Sequence, residues 1–170
     1  RITVLPGPPT LFLTMLAHPG LKEFDLSSLR SAVTGAASVP PVLIERMRSE
    51  LGIGNVTTAY GLTECGGLCT MATNDMLVAD PTCVGRALVT AEVAILDDDG
   101  NPLPDGEVGH VCVRGPMVMP GYYANPEATA AVFFKGRWLN SGDYGRMDQG
   151  MLYLESRKRD MIIRGGENIY

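Results

Sequence analysis

The sequence predicts an α/β protein, part of a parallel α/β sheet subdomain over residues 1–84 followed by a small β-rich, barrel-like subdomain over 85–158. Three observations carry this. Strand-type and helix-type apolar patterns alternate through the first half, as a parallel sheet with crossover helices requires. After about residue 84 short apolar runs separated by turn residues take over. Between the two, Tyr60-Gly61-Leu62-Thr63-Glu64 stands where a strand gives way to a loop, the edge at which open α/β sheets bind ligands.

Taken in order, Ile2–Leu5 reads as a strand and Pro9–Ala17 as a helix with proline in its first turn. Ser31–Thr34 is a second strand. Pro40–Leu51 reads as an amphipathic helix with Val42, Leu43, Met47 and Leu51 on one side, and 55–60 as a third strand. Asn55-Val56-Thr57 has the form of a glycosylation acceptor but is read as the start of that strand. In the second half, Glu92–Leu96, Gly109–Arg114 and Gly150–Leu154 are strand-like. Asp97–Asn101 lacks the glycine and closing glutamate of a calcium loop and reads as a hairpin turn. Pro126–Phe133 is the one helical stretch there, with Asn125 as N-cap and Glu127 in its first turn.

Composition narrows the function classes. A net charge of −5 and only three lysines, Lys22, Lys135 and Lys158, exclude the basic stripe that a nucleic-acid surface needs. The apolar fraction of 45% is globular, and nothing approaches the ~18 consecutive apolar residues of a membrane span. A cytoplasmic protein is expected. Cys65, Cys69, Cys83 and Cys112 form no C-x-x-C pair and no histidine stands at finger spacing, so they read as reduced, structural thiols. Trp138, Met117 and Met119 read as packing residues, and neither His18 nor His110 is assigned a catalytic role.

The chemistry concentrates around residue 60. Tyr60 offers a flat face for a base, Gly61 lets backbone approach a ligand, Thr63 can donate to a phosphate oxygen, and Glu64 can hold Mg2+ among phosphates. By itself the segment also fits an ordinary turn with a capping threonine. Thr34-Gly-Ala-Ala-Ser38 ends the preceding strand in small residues, leaving room for a flat ring. Further clusters follow: Gly106–Gly115 with Met119-Pro-Gly-Tyr-Tyr123 and Asn125–Thr129, then Trp138–Gly145, then Ser156–Ile169. Asp143 in Ser-Gly-Asp is compatible with a turn, and Arg157 with a solvated arm.

In this order and at these spacings the clusters resemble the adenylate-forming superfamily, which comprises acyl- and aryl-CoA synthetases, luciferases and the adenylation domains of peptide synthetases. Asp160-Met-Ile-Ile-Arg-Gly-Gly-Glu-Asn-Ile169 is most similar to the acyl-CoA synthetase, AMP-binding branch. The resemblance implies a ligase of fatty-acid-type metabolism that uses ATP, Mg2+ and CoA on a small-molecule carboxylic acid. The acid attacks the α-phosphate to give an acyl-adenylate, and CoA thiol then displaces AMP. It implies that Gly35, Ala36 and Ala37 border the adenine with Tyr60 stacked on it, that Gly61 belongs to the nucleotide-binding set, and that Thr63 contacts the α-phosphate with Glu64 on Mg2+. Asp143 and Arg157 would grip the ribose. Arg159 would lie at a hinge beginning a C-terminal domain over 159–170. Val33, Cys65, Gly66 and Gly67, with Gly165 and Gly166 in the thioester-forming state, would line the acyl and CoA pocket.

Departures from the family pattern are Ser141 for threonine, Ser156 for glycine, Ala37-Ser38 for a small residue and proline, and Arg159 for lysine or aspartate. The family's Ser/Thr/Gly-rich phosphate loop and its adenylation lysine are absent from these 170 residues, so an internal fragment of a large N-terminal domain, inactive alone, is expected. Two alternatives stay open: an adenylation domain loading a carrier protein, and a non-catalytic nucleotide-binding module. A homo-oligomer is compatible with these residues.

Overall fold

The computed structural model describes residues 1–157, 162–164 and 167–169. They fall into two compact units, Arg1–Tyr60 with Met71–Gly85, and Gly61–Thr70 with Arg86 onward.

The first unit is a parallel sheet with helices. Strands β1 (Val4–Gly7), β2 (Ser31–Gly35) and β3 (Asn55–Tyr60) pair in parallel in that order, and β4 (Thr70–Ala72) continues the sheet beyond β3. Helices α1 (Pro9–Leu16) and α2 (Pro41–Glu50) provide the crossovers, each with proline at its start, where no intrahelical N–H is missed. A short α3 (Asn74–Ala79), not anticipated from the sequence, follows β4, and its Asn74 Oδ1 accepts from Val56 N–H at 3.2 Å.

Two expectations need correction in this unit. The first strand is Val4–Gly7, not Ile2–Leu5: Thr3 carbonyl accepts from Arg30 and Ser31 N–H, so laddering with β2 starts two residues later and runs through Pro6. Proline is tolerated because β1 is an edge strand of the described sheet. On α2 the buried stripe is Leu43, Ile44, Met47 and Leu51, whereas Val42 is 58% exposed. At 100° per residue Val42 lies opposite that stripe. Phe12, Ala32, Ile53 and Val56 complete the core.

The second unit is a curled antiparallel half-barrel. Strand β5 (Arg86–Ala87) opens its main segment; β6 (Glu92–Leu96), β7 (Gly109–Arg114), β9 (Trp138–Asp148) and β10 (Met151–Arg157) form a sheet in the order β10-β9-β7-β6, and β8 (Phe133–Phe134) pairs with β9. The core lies around β7, whose residues 109–113 are all buried, with Ile95, Leu96, Leu139 and Leu152. Helix α4 (Pro126–Ala131) is capped by Asn125 Oδ1 accepting from Ala128 N–H at 3.0 Å. It ends two residues short of the expected Phe133, because Phe133 and Phe134 pair with Leu139 and Trp138 instead. Asp97–Asn101 is a turn closed by Asp97 Oδ1 on the N–H groups of Asp99 and Asn101. Strands β11 (Ile162–Arg164) and β12 (Glu167–Ile169) form a separate antiparallel pair.

No helix among the described residues is long and apolar enough to cross a membrane. All four cysteines are buried, and none is in a disulfide.

Candidate functional site

In the first unit the candidate residues end two neighbouring parallel strands. Gly35 faces Ala59 in register, and a Cβ on Gly35 would collide with the Ala59 carbonyl oxygen, so only glycine permits this approach of β2 to β3. Ala36 follows in the left-handed region at φ 64°, turning the chain out of the sheet. One register step earlier Thr34 and Thr58 are paired, both buried, and neither hydroxyl has a hydrogen-bond partner among the described residues. Tyr60 is the last residue of β3.

In the second unit the motif continues as a tight turn. Gly61 is pinned beneath the Gly67 carbonyl, and Thr63–Cys65 form one turn of 3-10 helix closed by Gly66 N–H on Thr63 O and Gly67 N–H on Leu62 O, both at 3.0 Å. Gly66 takes φ 74°. The Cys65 thiol is turned inward, bonded to the Leu62 carbonyl at 3.2 Å, while Thr63 is exposed and Glu64 half-buried.

The segment 115–123 docks on this turn. Met119 N–H donates to Glu64 carbonyl O at 2.8 Å, and the Tyr122 hydroxyl donates to Glu64 Oε1, also at 2.8 Å. Tyr122 is itself held by its N–H on Thr129 Oγ1 at 2.9 Å, and Arg137 reaches Met119 O at 3.1 Å. The bond to the Glu64 carboxylate pushes the Tyr122 phenol above its ordinary range. Glu64 Oε2 is left to another partner.

Asp143 does not lie in a turn. It belongs to β9 and is 8% exposed. β9 pairs with β7 at Cys112↔Asn140 and His110↔Tyr144, so Ser141, Gly142 and Asp143 together oppose the single residue Val111. Asp143 therefore sits in a bulge, with Gly142 at φ 79°. On its other side Asp143 is in register with Arg157 of β10. The two ribose candidates, on either side of a hairpin-like stretch in the sequence, are cross-strand neighbours. Arg159, Gly165 and Gly166 lie outside the described residues.

Two features carried too little signal to be found from the sequence. Tyr122 stands in the Met119–Tyr123 cluster, where nothing local gives it a role. His110, 2% exposed, is bonded through Nε2 to Asp98 Oδ1 at 2.8 Å and faces Asn140 through Nδ1 at 3.3 Å.

A hard oxygen donor such as Glu64, with Thr63 adjacent, suits Mg2+, which binds through one or two carboxylates plus phosphates and water. Among the described residues no group of three or more His, Cys, Asp or Glu side chains could hold a metal without a ligand's help. The donor set fits an ion that arrives with phosphate.

Residues 1–123 match the sequence profile of the AMP-binding enzyme family. The chain is 51% identical to 3-[(3aS,4S,7aS)-7a-methyl-1,5-dioxo-octahydro-1H-inden-4-yl]propanoyl:CoA ligase of Mycobacterium tuberculosis, covering 100% of this chain and 32% of that protein. Among solved structures it is similar to the amide bond synthetase McbA from Marinactinospora thermotolerans, with a TM-score of 0.88, 39% identity and coverage of 100% and 34% of the two chains. It is also similar to the O-succinylbenzoate Coenzyme A synthetase of Bacillus subtilis in complex with ATP and magnesium ion, with a TM-score of 0.85, 31% identity and coverage of 99% and 34%. The chain spans about a third of the length of the curated relatives it matches. With the family profile covering more than half of its residues, the chain belongs to the AMP-binding enzyme family.

Proposed function

We propose that the intact protein is an ATP-dependent carboxylate–CoA ligase that forms an acyl-adenylate and then a CoA thioester. The observation that carries the reading is the half-buried Glu64 carboxylate, fixed by Tyr122 through one oxygen on a turn directly after the exposed Thr63. In this reading Gly35, Ala36, Ala37 and Tyr60 border the adenine. Thr63 donates to an α-phosphate oxygen, and Glu64 holds Mg2+. Asp143 accepts from the ribose hydroxyls, with Arg157 beside it in the ladder. Mg2+, when bound, would neutralise charge on the phosphate oxygens. The protein's own part is orientation: a carboxylate and a hydroxyl held on a rigid turn need no reorganisation as charge develops at phosphorus. Residues 1–84 and 85–158 are then two parts of one nucleotide-binding domain, with the hinge at Arg159.

Val33, Gly66 and Gly67 are proposed at the acyl pocket, with Cys65 supporting their turn from inside. A Cβ on Gly67 would meet nothing within 4 Å, which leaves room for a bulky acid. The name of the mycobacterial relative suggests the class to try first, a propanoate carried on a fused bicyclic dione. Pyrophosphate release by the intact protein should require both ATP and an acid of this kind; release that ignores the acid would sink the reading. Offering the adenylate CoA, a holo carrier protein and an amine in parallel separates the ligase from a carrier-loading domain and from an amide synthetase. AMP binding without turnover would leave a nucleotide-binding module.

A further inference from the structure

The bulge that carries Asp143 is held by a hydrogen-bonded chain that begins at an exposed carboxylate and passes through a buried imidazole. Asn140 Oδ1 accepts from Gly142 N–H at 2.9 Å, which fixes the orientation of its amide and directs Nδ2 toward His110. Asn140 Nδ2 is 3.3 Å from His110 Nδ1, and since Nδ2 can only donate, Nδ1 must accept. The ring proton is then on Nε2, where Asp98 Oδ1 accepts it at 2.8 Å. Tyr144 Oη lies 3.4 Å from the same nitrogen, and the Phe134 ring packs at 5.6 Å between centroids. Ser141 provides a parallel tie: its hydroxyl donates to Val111 O at 2.8 Å and accepts from Asp143 N–H at 3.1 Å. Two of these bonds end on the bulge itself, Asn140 Oδ1 on Gly142 N–H and Ser141 Oγ on Asp143 N–H.

We propose that His110 is a positioning residue for nucleotide binding, locking Asn140 so that the Ser141–Asp143 bulge presents the Asp143 carboxylate to the ribose. This rests on the reading of Asp143 as the ribose acceptor. The bulge needs such a lock. Three residues opposing one break the ladder locally, and a left-handed glycine at Gly142 leaves the segment free to take other conformations unless side chains hold it. His110 is almost fully buried in the middle of the sheet, yet both ring nitrogens are engaged, Nε2 by Asp98 and Nδ1 by the Asn140 amide that holds Gly142.

The test uses the intact enzyme and four variants, His110→Phe, His110→Gln, Asn140→Ala and Asp143→Ala. KM is measured for ATP and for the acid, together with the preference for ATP over 2′-deoxyATP and 3′-deoxyATP. His110→Phe keeps the ring volume but strands the Asn140 amide, so KM for ATP should rise about 5–30-fold, the effect of one lost hydrogen bond. The ribose preference should fall toward that of Asp143→Ala while KM for the acid stays unchanged. His110→Gln, whose amide can serve both neighbours, should recover most of the preference, and Asn140→Ala should behave as His110→Phe does. Faster amide exchange at Gly142 in His110→Phe would support the same conclusion independently of turnover. If His110→Phe kept the wild-type preference while Asp143→Ala lost it, the positioning role would be overturned and the ribose reading would stand. Wild-type preference in Asp143→Ala as well would overturn both.

Discussion

The phenolic hydroxyl of Tyr122 donates to Glu64 Oε1 across 2.8 Å, joining a loop of the β-rich unit to the carboxylate of the turn at 63–65. One carboxylate oxygen is thereby committed. Glu64→Gln keeps the shape and removes the charge, and should cost ~10²-fold or more in adenylation, the scale of one lost transition-state charge contact. Tyr122→Phe should be milder, about 5–10-fold, and should raise the Mg2+ concentration needed for half-maximal rate. Pyrophosphate release across a Mg2+ series checks both; a near wild-type rate for Glu64→Gln would remove that residue from the site.

Asp143→Ala should weaken ATP and AMP binding while leaving the acid's affinity unchanged. Depriving a sugar diol of its charged acceptor costs roughly 1.5–3 kcal/mol, or about 10–150-fold. Calorimetric titration of AMP into wild type and variant measures this directly, and equal affinities would show that the carboxylate makes no such contact.

Gly61→Ala should destabilise the protein by about 1–3 kcal/mol, since the added methyl would press on the Gly67 carbonyl and on Leu68 Cα at 2.6 Å, all backbone that cannot step aside. Denaturant unfolding checks the loss. Gly54→Ala is the control, because a Cβ there meets nothing within 4 Å. Equal midpoints for the two variants would contradict the close approach.

Burial pushes the Cys69 and Cys112 thiols up from about 9.0 to about 12, Cys69 with a further contribution from Cys65. Because the folded state holds these protons more tightly than the unfolded chain, the associated stability is complete below pH 9 and is lost as the pH rises through 12. At pH 8 in native buffer, iodoacetamide should leave both cysteines unmodified by peptide mass analysis and should label them in urea. Native labelling at Cys69 would mean that the thiol is neither buried nor protonated.

The parallel strands and crossover helices of the first half, the antiparallel character of the second, and the neighbourhood of Tyr60–Glu64 are legible along the chain. Each of these is written in local periodicity or in a run of residue types that few backbones accommodate. The sequence did not determine where β1 begins, since pairing with Ser31 overrode the apolar run at Ile2. Nor did it reveal β9: Asp143 in Ser-Gly-Asp is compatible with a turn, but a strand paired on both sides needs no local propensity, and Gly145 lets the Tyr153 carbonyl approach. Only the tertiary structure set Asp143 in a bulge beside Arg157, Tyr122 on Glu64, and His110 against Asn140. Those relations join residues 14 to 58 positions apart, and long-range pairing is fixed by sheet register and by the need of buried polar groups for partners, neither of which leaves a periodic trace along the chain.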